Sequence, residues 1–142
     1  MNGLAIGQKA SASRIFTAAD IADYRALTGD AGLGFGEMTV ETAVPGPLLA
    51  GMFSDLLGTK LPGRGTNWLK QQLQFSGVAK VGEEVTAVVQ ITRLRPEKHL
   101  VNLRSTCANA AGDIVCSGET LVMVSDLETK TEQPKKERGG DA

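Results

Sequence analysis

Gly46-Pro-Leu-Leu-Ala-Gly-Met-Phe-Ser-Asp-Leu-Leu-Gly58 is the stretch that decides the fold. Leu48, Leu49, Met52, Phe53, Leu56 and Leu57 recur at the i, i+1, i+4, i+5 spacing that gives a helix one wide apolar face. Gly46 suits the N-cap and Pro47 the first helical position, where its missing N–H costs nothing. Gly58 suits the C-terminal stop. A helix this apolar has to be buried, so the rest of the chain is expected to wrap around it.

Downstream the period changes from helical to two. Leu69, Gln71, Leu73 and Phe75 fall on one face of a strand, as do Val85, Ala87, Val89 and Ile91. Leu100 to Asn109 and Ile114 to Val124 are two further β-rich runs. Upstream, residues 11–16 suit a first strand. Thr17-Ala-Ala-Asp20 then reads as an N-cap with a carboxylate three residues on, which predicts a helix over 18–28 with Ile21, Tyr24 and Leu27 at helical spacing. Phe16 and Ile21 stand where a hydrophobic staple would place them. Residues 29–47, with five glycines and two prolines, have no sustained period and form either an ordered loop over a site or a surface connection. Residues 128–142 carry eight charges and almost nothing apolar, too little to offset ordering entropy, and are expected to be a disordered tail.

The order strand, helix, loop, buried helix and four consecutive strands predicts an α+β domain over 1–127, an antiparallel curved sheet around a central apolar helix, with the last four strands as a meander. Asn109-Ala-Ala-Gly112 suits a type I turn with Gly112 left-handed. In a simple register Cys107 then faces Val115 and Cys116 faces Thr106, which would point the thiols to opposite faces and preclude a disulfide.

At 142 residues, 42% of them apolar, the chain suffices for one core and not two. A net charge of −1 gives no field for nucleic acid. No apolar run reaches the roughly 18 residues of a membrane span, and the start lacks a signal-peptide pattern, which predicts a cytoplasmic protein. Two cysteines and one histidine suit neither a typical structural zinc site nor a disulfide framework, so no metal is expected.

Three segments, Leu27-Thr-Gly-Asp30, Val44 to Gly58 and Leu61-Pro-Gly-Arg-Gly65, resemble the MaoC-like (R)-specific enoyl-CoA hydratases. Phe75, Val81-Gly-Glu83 and the run from Asn109 to Gly118 extend the likeness over residues 7–124. The resemblance implies a hot-dog fold, a homodimer with sites at the subunit junction, and hydration of a trans-2-enoyl-CoA or dehydration of a (3R)-hydroxyacyl thioester. No cofactor is implied, because coenzyme A or acyl carrier protein comes as part of the substrate. In the family an aspartate at the position of Asp30 is catalytic, and a histidine follows five residues on, where this chain has Phe35. The family's His-Gly at the start of the central helix is matched by Pro45-Gly46, so a second histidine is lost. The connection between Asp30 and Gly46 is also shorter than the family's by about seven residues.

Hydration needs a base for water, an acid for the α-carbon and dipoles for the enolate oxygen. Positioned acid–base groups typically contribute about 10² to 10⁴ in rate. Asp30 is the leading acid–base candidate with the resemblance, although on the residues alone an ordinary turn residue is the favoured reading. Gly46 would let a thioester carbonyl approach the positive end of the central helix. Ser54 matches the family's serine on that helix and could orient the acid–base group or the bound water, or bond back to its own helix. Glu37 and Glu41, in the altered loop, are substitutes for the missing histidine or simply solvated. Arg64 is the candidate for coenzyme A phosphates, with Lys70, Arg95 and Lys98 as weaker ones, and His99 is an exposed turn residue. Two other functions compete: a non-catalytic module for acyl-CoA binding or assembly, and an acyl-CoA thioesterase using Asp30 or Glu37 with Gly46.

Overall fold

The computed structural model describes residues 3–30 and 43–125. The expected charged tail, together with Phe35, Glu37 and Glu41, lies outside the described residues. In chain order the elements are β1 (Lys9–Ile15), α1 (Ala18–Thr28), α2 (Gly46–Thr59), β2 (Thr66–Phe75), β3 (Glu84–Arg95), a single 3-10 turn (Pro96–Lys98), β4 (Leu100–Ala108) and β5 (Ile114–Val124).

Helix α1 begins as its sequence dictates. Thr17 Oγ1 accepts from the Asp20 N–H at 3.1 Å, while the Asp20 carboxylate accepts from the Thr17 N–H at 2.9 Å. These bonds to Thr17, with Arg14 3.7 Å away, hold the Asp20 carboxyl below its ordinary range. Gly29, left-handed at φ 76°, ends the helix by donating to the Arg25 carbonyl. Of the expected apolar face only Ile21 is buried. Leu27 is 88% exposed, so α1 packs on the core through Ile21 and not through a full apolar face.

Helix α2 is the buried helix the spacing predicts, with Leu49, Met52, Phe53, Leu56 and Leu57 all in the core. Its start lies one residue earlier than expected: Pro45 is the N-cap and Gly46 the first helical residue, since an extended proline ends the incoming chain as well as a glycine would. Gly58 stays inside the helix, which closes at Lys60.

The sheet is wholly antiparallel, in the order β1-β3-β4-β5-β2. The expected four-strand meander therefore holds only for β3, β4 and β5. Strand β2 pairs with β5 at the far edge, and residues 76–83 cross from that edge to the middle of the sheet. Val85, Ala87, Val89 and Ile91 line the inner face of β3, as their alternation predicts. Opposite them, Val101, Leu103, Ser105 and Cys107 of β4 are buried as well.

Two bulges correct the simple register. In β2 the pairing slips between Trp68 and Lys70, so Leu69 takes the extra position and is half-exposed. Trp68 joins Gln71, Leu73 and Phe75 on the inward face instead. The 109–112 turn forms as expected: Gly112 has φ 90° and donates to the Asn109 carbonyl at 2.9 Å, and Asn109 donates to the Asp113 carbonyl. Beyond it, however, Ala108 pairs with Ile114 and Cys107 with Cys116. The extra residue at Val115 puts both thiols on the same inner face, buried and unbridged, not on opposite faces.

Candidate active site

Asp30 follows α1 directly. The left-handed turn at Gly29 folds the chain back along the last helical turn, and this reversal lets residue 30 reach residue 24. The Asp30 N–H donates to Thr28 Oγ1 at 3.1 Å, and the carboxylate Oδ2 accepts from the Tyr24 phenol at 2.8 Å. Burial, and after it the Asp30 carboxylate, raises the Tyr24 pKa above the usual phenol value. The phenol is therefore protonated near neutral pH and acts as a donor.

Tyr24 is half-buried and lines a cleft of about 600 Å³ bounded by β1, α1 and α2. Phe16, Leu27, Leu48 and Met52 give the cleft an apolar wall, and Arg14, Asp20, Asp23 and Asp55 bring charge to it. A concave, mainly apolar site with a few polar groups is the form that small-molecule sites commonly take.

Gly46 lies in the first turn of α2. A Cβ there would come within 2.9 Å of two ring carbons of Phe75, so the glycine is what allows the ring from the end of β2 to lie against the helix start. Pro45 supplies no side-chain cap, and the first turn of α2 holds no acidic residue. Among the described residues none caps the positive end of this 14-residue helix as Thr17 and Asp20 cap α1.

Ser54 is exposed on α2 and does not line the cleft. Arg64 is exposed in the turn before β2, after a cis Leu61–Pro62 peptide. It sits at the opposite end of β2 from Phe75 and Gly46, a strand length of roughly 30 Å at about 3.3 Å per residue. His99 lies at that same far end, where its carbonyl accepts from the Val124 N–H at 2.8 Å; it is exposed, as expected. Within one chain the structure thus joins Asp30 to Tyr24 and Gly46 to Phe75, and leaves Arg64 and His99 apart from both. Among the described residues no group of three or more His, Cys, Asp or Glu could hold a metal ion.

Tyr24, beside Asp30, and Phe75, beside Gly46, are site neighbours to which the sequence reading gave no role. Tyr24 was legible only as a face residue of a helix. The signal that could have found its contact is the Gly29-Asp30 pair just beyond the helix end, since a left-handed glycine returns the next side chain towards the preceding turn.

Over 130 residues the chain is 38% identical to an (R)-specific enoyl-CoA hydratase of Aeromonas caviae, covering 84% of this chain and 94% of that protein. The chain belongs to the MaoC-like (R)-specific enoyl-CoA hydratase family. A second hydratase of that name, from Rhodospirillum rubrum, is also 38% identical, over 83% of this chain and 86% of its own. The solved structure of the A. caviae (R)-hydratase involved in PHA biosynthesis superimposes with a TM-score of 0.80 at 36% identity, covering 88% of this chain and all of that one. The fold is therefore the hot-dog fold, with α2 as the central helix of the hydratase family. No protein-family model matches the chain. Among the described residues no helix is long and apolar enough to cross a membrane.

Proposed function

We propose that the protein adds water across the double bond of a trans-2-enoyl-CoA to give the (3R)-3-hydroxyacyl-CoA, and catalyses the reverse dehydration. The observation that carries this reading is the 38% identity to (R)-specific enoyl-CoA hydratases along nearly their whole length.

One carboxylate suffices for the proton bookkeeping. Asp30 takes a proton from water as the water oxygen bonds to the β-carbon, and the π electrons pass to the thioester oxygen. The enolate then collapses as protonated Asp30 returns a proton to the α-carbon, so the net change is the addition of one water. Backbone N–H groups at the start of α2 stabilise the enolate oxygen, with Gly46 permitting the close approach. Ser54 orients water only if the substrate reaches the exposed side of α2. No cofactor enters, since coenzyme A arrives with the substrate.

The working unit in this reading is a homodimer in which two β2 edges pair antiparallel. That arrangement brings the second copy's Arg64, remote from Gly46 within one chain, to the Phe75 end of the first, where it meets the coenzyme A phosphates. Free thiols and a coenzyme A substrate fit the cytoplasm.

The test is an assay with crotonyl-CoA and a longer enoyl-CoA, following both loss of the conjugated double bond and release of free thiol. Hydration without thiol release is the expected result. Thiol release would make the protein a thioesterase, and acyl-CoA binding without turnover would make it a binding module, as the loss of the family histidine at Phe35 would favour. Asp30→Asn keeps the side chain's size and removes its basicity. It is expected to lower turnover by about 10² or more with acyl-CoA binding nearly intact.

A further inference from the structure

We infer that Tyr24 is a positioning residue for Asp30, its phenol fixing the orientation of the carboxylate beside the cleft between β1, α1 and α2. The inference rests on the hydratase reading for its catalytic consequence, but the pairing itself stands on geometry. The phenol oxygen lies 2.8 Å from Asp30 Oδ2, and the tyrosine is half-buried on the same cleft as Leu48, Gly51 and Met52 of the central helix. Asp30 is exposed, and a hydrogen bond from the half-buried phenol narrows the rotamers its carboxylate can take.

The phenol donates and Asp30 Oδ2 accepts, so the bond orients the carboxylate without taking a proton from it. This arrangement supplies part of what the missing histidine at Phe35 would supply, namely orientation of the aspartate, without supplying a second proton-transfer group. Other charged groups on the cleft face Tyr24 from each neighbouring element: Arg14 from β1, Asp20 and Asp23 from α1, and Asp55 from α2.

The chain contains a single tyrosine, so the ultraviolet absorbance of phenolate reports on Tyr24 alone, and the single tryptophan reports on whether the protein is still folded in the same sample. The experiment compares the phenolate titration of the wild type with that of Asp30→Asn, and the crotonyl-CoA kinetics of the wild type with those of Tyr24→Phe. Removing the carboxylate is expected to move the phenol titration to lower pH. Removing only the hydroxyl is expected to lower kcat about 10-fold to 10²-fold while leaving KM within about twofold, because orientation is lost and binding is not. An unchanged phenol titration in Asp30→Asn would overturn the pairing, and full kcat in Tyr24→Phe would overturn the positioning role. An inert wild type would remove the hydratase reading and the catalytic role with it, while the titration would still decide whether the pair exists.

Discussion

Gly46 lets the proposed function be tested apart from folding. An alanine there would place its methyl 2.9 Å from two ring carbons of Phe75, but that ring is half-exposed and can swing outward. Gly46→Ala is therefore expected to change stability by no more than about 1 kcal/mol. The methyl would still occupy the approach to the first turn of α2, so kcat/KM for crotonyl-CoA should fall about tenfold or more. Thermal melts and the hydration assay run side by side check both halves. The buried thiols give a second expectation at this scale. Burial pushes both Cys107 and Cys116 up from about 9 to about 11, with Cys116 adding to the shift at Cys107. Below pH 9 both folded and unfolded chains carry neutral thiols, so the folded state keeps the full benefit. As pH rises from 9 through 11 the unfolded chain ionises first, and that benefit is lost. The melting temperature should therefore fall more steeply across this window in the wild type than in the Cys107→Ala, Cys116→Ala double variant, which melts at stepped pH would reveal.

At the scale of elements, the edge pair β2–β5 depends on one glycine. A Cβ at Gly118 would overlap the Gln72 carbonyl oxygen and lie 2.8 Å from its carbon, both of them backbone atoms that cannot move aside. Gly118→Ala is expected to cost about 3 kcal/mol or more, or to detach β2, and hydrogen exchange should then show lost protection along Thr66–Phe75 while β3 and β4 stay protected. The inner faces of these strands also meet in a polar knot, Ser105 Oγ 3.0 Å from Thr120 Oγ1, which donates to Gln71 Oε1 at 2.7 Å. Much of this architecture was legible in the sequence. The apolar face of α2, the capping box of Thr17 and Asp20, and the alternation of β3 are local patterns that local physics fulfils. What escaped was non-local. That β2 joins β5 rather than β3 depends on a crossing connection that has no periodicity of its own. The bulges at Leu69 and Val115 depend on how neighbouring strands fit, and each reverses the face of the residues beyond it. In the candidate site, Asp30 and Gly46 stand out in the sequence as motif positions, whereas the side chains beside them, Tyr24 and Phe75, become visible only once the Gly29 turn and the end of β2 are placed.

At the scale of the whole molecule, the inward face of β2 ends in half-exposed aromatic surface at Trp68 and Phe75, with Leu69 projecting from its bulge. Such an edge is a template for another strand. The protein is expected to sediment as a dimer at micromolar concentration, and Leu69→Lys, which puts a charge on that edge, should weaken the association about tenfold or more. A wild type that sediments only as a monomer would count against the two-copy site, and with it against the role of Arg64 in meeting coenzyme A.

The two borders of the sheet are not alike. Opposite β2, the strand β1 presents Lys9, Ser11, Ser13 and Arg14, all exposed, along the other border. A slab adhesive on both sides would stack without limit into filaments. In the dimer proposed above, the union through β2 uses up the one adhesive side, and the ten-stranded product offers only β1 borders to the solvent. Growth would then end at the pair, and the concentration of the protein could rise without the sheet becoming the seed of a fibre.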